Sequence, residues 1–168
     1  MIRPRALSSS GWLGAVAGVV ALALLAFAVH QGLQWRHAEQ QQVAREDAMD
    51  AAAREVTAFI SISKDTDADD MRTLLGGATG EFRDELARQA DQLREQAEAN
   101  RVRSVGTVDS VGVERMNDDL DRATLVVAAS GVVRNKSSQG KEPRRYRFRV
   151  EVRRAEDDWL VSALEFLS

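Results

Sequence analysis

Arg144-Arg145-Tyr146-Arg147-Phe148-Arg149-Val150-Glu151-Val152-Arg153-Arg154 (RRYRFRVEVRR) alternates without a slip. Tyr146, Phe148, Val150 and Val152 fall on one side of an extended chain, and Arg145, Arg147, Arg149, Glu151 and Arg153 on the other. Successive side chains of a strand point to opposite faces, so the segment predicts a β-strand with one apolar and one charged face. A strand of that kind belongs in an antiparallel sheet covered on one side.

Working outward, the neighbouring segments supply the rest of that sheet. Asn135 to Pro143 is a long polar hairpin loop, and Ala123 to Val133 before it is a nearly continuous apolar strand. Earlier still, Val102 to Met116 carries Val102, Val105, Val108, Val111 and Val113, with Gly106 and Gly112 marking bulges or bends. Asn117-Asp118-Asp119 turns this strand into the next. Downstream, Glu156-Asp157-Asp158 is a turn and Trp159 to Leu167 the last strand. Four strands joined in order make an antiparallel meander.

Upstream the period changes to that of a helix. Met49, Ala52, Val56, Phe59 and Ile60 recur at three-and-four spacing. Lys64 to Asp70 breaks the pattern, and Thr66 or Asp67 caps a short helix that Gly76 and Gly77 end. Thr79 opens a third helix to about Ala99, with Phe82, Leu86, Ala90, Leu93 and Ala97 on one side and Asn100 as its stop. Helices first, then a meander, predict an α+β domain with the helices packed on one face of a four-stranded antiparallel sheet.

Gly11 to Val29 is an unbroken apolar run of nineteen residues. As a helix it spans roughly 28 Å, the hydrocarbon thickness of a bilayer. Arg3 and Arg5 precede it without an acid, while Arg36 and Glu39 follow it, so the N-terminus is expected in the cytoplasm and the rest outside. Trp12 and Trp35 stand where indole rings favour the interface. Ala26-Phe27-Ala28 also fits a signal-peptidase site, and then the run would be a cleaved signal; its length favours an anchor. Gly14 and Gly18 form a Gly-x-x-x-Gly pair that admits a close helix partner, although an Ala/Gly-rich span produces such pairs by chance.

The sequence therefore predicts a cytoplasmic tail at 1–10, a transmembrane helix at 11–30, a polar helical stalk at 31–48 and an exported domain at 49–168. Formal net charge is only −3, from 23 basic and 26 acidic residues, which argues against a nucleic-acid partner. Cysteine is absent, which excludes disulfides, thiol nucleophiles and thiolate metal sites.

Several phrases resemble the Mce-associated membrane proteins, small anchored proteins linked to mammalian-cell-entry lipid transporters. They are Leu74-Leu75 followed by Ala78-Thr79-Gly80-Glu81-Phe82; Ser104 to Val113 (SVGTVDSVGV); Leu125-Val126-Val127; and Asp158-Trp159-Leu160-Val161. With the anchor the likeness covers nearly the whole chain, through packing and turn residues rather than chemistry. It implies an NTF2-like or VirB8-like cone and a non-enzymatic accessory role in an envelope complex importing lipids or sterols. A VirB8-like assembly factor of a secretion or conjugation machine, and a lipid-binding module using the cone interior, are the alternatives. Homo-oligomerisation is compatible with each.

No catalytic, cofactor or metal residues are expected. The two histidines, His30 and His37, lie at the membrane junction, and no carboxylate pair is recognisable inside the cone; the side taken by Asp109 is unreadable. Asp65, Asp67, Asp69 and Asp70 imitate a calcium loop, but Asp70 and Gly76 occupy the positions that need Gly and Glu. Trp159 reads as a core anchor. The row Arg145, Arg147, Arg149 and Arg153 reads either as a solvated, aggregation-resistant face or as a dock for an acidic partner or lipid head groups.

Overall fold

Two single-residue insertions keep the first strand in phase with the core. In the computed structural model, which describes residues 38–137 and 140–168, β1 (Arg103–Met116) pairs with β2 (Arg122–Arg134) with register shifts between Val108 and Ser110 and between Val113 and Arg115. Asp109 and Glu114 are the extra residues. Each bulge flips the alternation, so the inward set runs Gly106 and Val108, then Val111 and Val113, then Met116. Neither bulge falls on the glycines that suggested them, and Val105, counted with the apolar positions, is 71% exposed.

β3 (Glu142–Ala155) and β4 (Asp158–Phe166) complete an antiparallel sheet of order β1-β2-β3-β4. The predicted alternation of β3 holds: Phe148, Val150 and Val152 are buried, while Arg145, Arg147 and Arg153 are exposed. Ser162 is the extra residue of β4, opposite the Glu151–Val152 step.

The chain divides into two compact units, Met1–Gln42 and Val43–Ser168. Of the first, residues 38–42 are described and are helical. The expected tail, the transmembrane helix with Gly14 and Gly18, both histidines and the start of the stalk lie outside the described residues. Among those described, no helix is long and apolar enough to cross a membrane.

In the second unit, residues 43–60 are helical and form α1. Its buried stripe runs at intervals of four through Ala44, Ala48, Ala52, Val56 and Ile60. It packs against Leu125, Val127, Phe148, Val150 and Val161, which have no exposed surface. α2 (Ala68–Gly76) starts as expected at Asp67, whose carboxylate accepts from the Asp69 and Asp70 amides. α3 (Gly80–Ala99) packs Leu86, with Phe82 and Leu93, against Met71 and Leu74 of α2. Gly80 opens it at φ +61°, a backbone state that favours glycine.

Between α2 and α3 the chain touches the sheet. The Val161 amide donates to Gly77 O and the Thr79 amide to Val161 O, both at 2.8 Å. This short parallel bridge at Ala78 ties the helical layer to the edge strand β4. The expected α+β fold, with helices on one face of a four-stranded antiparallel sheet, is the fold observed.

Candidate functional site

The outer sheet face carries the arginine row, and its members meet different surroundings. Arg149 donates to Glu114 at 3.1 Å across β2, and Glu165 of β4 is its direct cross-strand partner. The bulge at Glu114 aims that carboxylate outward, which sequence alternation did not reveal. Arg145 and Arg147 lie opposite Ser130 and Ala128 and make no ion pair among the described residues. Arg153 is set apart by Glu151 and stands opposite Arg122. Val126, 36% exposed, lies between Gly112 and Arg149 in register. The structure thus separates one neutralised arginine from two guanidinium groups beside small side chains. Asp109 also takes the outer side, where its carboxylate accepts from Ser130 Oγ at 2.9 Å.

A second locus was not visible in the sequence. Glu55, on α1 beside the apolar stripe, is only 4% exposed. It lines a pocket of about 270 Å³ with Arg54, Gly77, Asp158 and Trp159, where α1, the end of α2 and the start of β4 meet. Glu55 Oε1 and Trp159 Nε1 are buried without a hydrogen-bond partner among the described residues. Burial pushes the Glu55 carboxyl up to about 7, because removal from water penalises the charged form. Trp159 packs in the core as expected and also lines this pocket. The only sequence signal for Glu55 is its place next to Val56 on a stripe of alanines, which helical spacing reports weakly.

What this geometry supports chemically is limited. A carboxyl poised near neutrality meets one requirement of a general base. The other carboxylate of the pocket is Asp158 at its exposed rim, and the Thr73 hydroxyl that also lines it donates to Asp69 O at 3.0 Å. Among the described residues no group of three His, Cys, Asp or Glu side chains is placed to hold a metal. The Asp65–Asp70 segment is a helix cap, with the Asp67 amide donating in turn to Asp70 Oδ2 at 3.1 Å.

Residues 13–168 match a family model described as uncharacterized protein Rv1363c/MT1408-like. A relative, uncharacterized protein Rv1363c of Mycobacterium tuberculosis strain H37Rv, is 31% identical over 137 residues, covering 79% of this chain and 51% of its own length. The chain thus spans about half the length of the curated relative it matches. Among solved structures, the fold is similar to an IcmL-like type IV secretion system protein of Legionella pneumophila, with a TM-score of 0.58 at 11% identity, covering 73% of this chain and 91% of that one. It is also similar to CagV, a VirB8 homologue of the Helicobacter pylori type IV secretion system, with a TM-score of 0.52 at 12% identity, covering 70% and 97%. These likenesses establish a VirB8-like fold.

Proposed function

The chain belongs to the Rv1363c/MT1408-like family, and from that premise we propose that it is an accessory protein of the cell envelope that docks other proteins and catalyses nothing. In this reading a single N-terminal span holds the VirB8-like domain outside the cytoplasm. The observation that carries it is the outer sheet face, where Arg145 and Arg147 lie opposite Ser130 and Ala128 without an ion pair among the described residues. Forked guanidinium donors held on a rigid strand suit carboxylates, two oxygens at a time, on an acidic partner surface.

The partner we propose is a subunit of an Mce-type lipid or sterol importer, on the strength of Ser104 to Val113 and the other resembling phrases. A second reading, an assembly factor of a secretion or conjugation machine, is favoured by the fold likeness to type IV secretion components. The inner sheet face gives the third reading, a lipid-binding cone, little room, since Phe148, Leu125 and Val150 fill it with no exposed surface.

The test is crosslinking in intact cells followed by affinity purification of the full chain. Recovery of importer subunits supports the first reading, and recovery of secretion-machine components in their place transfers it to the second. Charge reversal at Arg145, Arg147 and Arg149 together should reduce recovery of either partner. Unchanged recovery would leave the row a solvated face.

A further inference from the structure

Arg103 and Arg134 are direct cross-strand partners at the end of the β1–β2 ladder. Like charges placed opposite each other repel, so the pair weakens the sheet unless something offsets it. Asp65 does so in part, 3.7 Å from Arg103 Nη1. Its carboxyl is held below the usual carboxylate range by the hydrogen bond from Lys64, with Arg103 adding to the effect, so it stays ionised and engaged. Arg134 has no ion pair among the described residues, and neither has Lys141, which lines the same pocket of about 480 Å³. Three cations face one carboxylate there, in a chain whose net charge is negative.

The next rung on the same face is apolar. Val105 lies opposite Val132, and the two are 71% and 38% exposed. These valines give the pocket an apolar side next to its cations. The opposite wall is fixed by bonds to β1 and to the residue before it: the Lys64 amide donates to Val102 O at 2.8 Å, Ser104 Oγ to Ile60 O at 2.6 Å, and the Gly106 amide to Ser61 Oγ at 3.2 Å. That wall is therefore set in advance, which lowers the entropy lost on binding.

We propose that this pocket binds the phosphate head of an anionic lipid, with Arg103, Arg134 and Lys141 on the phosphate and the adjoining carbons on Val105 and Val132. Guanidinium forks and an ammonium are the donors that phosphate oxygens prefer. Inorganic phosphate shares that chemistry but offers nothing to the valines, so the lipid is the ligand the pocket fits. Neither Arg145 nor Arg147 lines this pocket, although Ser130, opposite Arg145, is one rung from Val132 on the same face, and failure of the site would leave the docking reading intact.

The experiment is calorimetric titration of the full chain, held in neutral detergent, with dihexanoyl phosphatidylglycerol, dihexanoyl phosphatidylcholine and inorganic phosphate. Phosphatidylglycerol should bind more tightly than either, since choline cancels the phosphate charge and inorganic phosphate lacks the chain. Arg134→Gln with Lys141→Gln should lower its affinity by at least about tenfold, and Val105→Ser several-fold. Thermal melting checks the fold: Arg134→Gln removes a like-charge pair and should hold or raise the midpoint. Were that variant unfolded, Lys141→Gln alone should still lose affinity. Phosphatidylglycerol affinity that ignores the charge variants, or its failure to bind, overturns the proposal. Equal binding of inorganic phosphate or of phosphatidylcholine overturns the assignment to an anionic lipid.

Discussion

The carboxyl of Glu55 lies against Gly77 at the end of α2, so closely that a β-carbon on Gly77 would collide with Glu55 Oε2. Gly77 has an ordinary helical φ of −81°, so the space and not the backbone conformation demands glycine. Gly77→Ala is therefore expected to destabilise the domain by about 1–3 kcal/mol, the usual cost of overpacking. Glu55→Ala should relieve that collision, and the double variant should lose less than the two singles added together, by roughly 1 kcal/mol. Urea unfolding of all four chains measures the coupling. Additive losses would show that the contact does not set the cost.

The same carboxyl makes stability depend on pH. In the folded chain burial raises the Glu55 carboxyl from its ordinary value of about 4.5 to about 7, with Arg54 and Asp158 sharing its pocket. Between those values the folded state holds a proton that the unfolded state has released. Its contribution is complete below about pH 4.5, falls as pH rises, and is gone above about pH 7. The loss from pH 5 to pH 8 should be on the order of 2–3 kcal/mol. Glu55→Gln should flatten that slope in melting scans; a slope that survives the substitution would assign it to other groups.

The sheet was legible because its signals are local. Each strand of β1 to β4 was bounded by a turn, and β3 stated its inside and outside residue by residue. The start of α2 was legible for the same reason, Asp67 being a strong cap. What the chain hid depends on contacts distant in sequence. Ala44 and Ala48 pack as tightly as Val56, but alanine carries little hydropathic signal. Bulging at Asp109 and Glu114 reflects the fit of β1 to β2 and not the local glycines. Glu55 is buried only because Gly77 and β4 close over it. The ion pair of Arg149 needed Glu114 to arrive from two strands away.

The cap on α2 distinguishes a helix start from a metal loop. Asp67→Ala removes the acceptor for two amides and should cost about 1 kcal/mol. Millimolar calcium should leave the melting midpoint of the unmodified chain unchanged, because the carboxylates of Asp67 and Asp70 are engaged with backbone amides. A rise of several degrees with calcium would restore the metal reading.

Ile60 sits over Gly106, where a β-carbon would overlap Ile60 Cγ1 and Cδ1. Gly106→Ala should push the end of α1 off β1, at a cost of about 1–3 kcal/mol. Shortening the partner in the same chain, Ile60→Ala, should recover part of that loss, as chemical denaturation would show. Equal stability of Gly106→Ala and the unmodified chain would mean that α1 shifts freely on the sheet.

The arginine row separates structure from docking by the order of its effects. Arg149 is paired with Glu114 at 3.1 Å and lies opposite Glu165, so Arg149→Glu sets a carboxylate directly beside both of theirs. Its stability cost should be about 1 kcal/mol, the upper end for an exposed ion pair. Arg145→Glu and Arg147→Glu break no ion pair among the described residues and should change stability by less than about 0.5 kcal/mol. Partner recovery should rank the other way, falling most for the substitutions at Arg145 and Arg147, whose guanidinium groups are free for an acidic surface. Recovery that follows the loss of stability instead, with Arg149→Glu the most damaging, would make the row a structural feature of the sheet and remove it as the docking face.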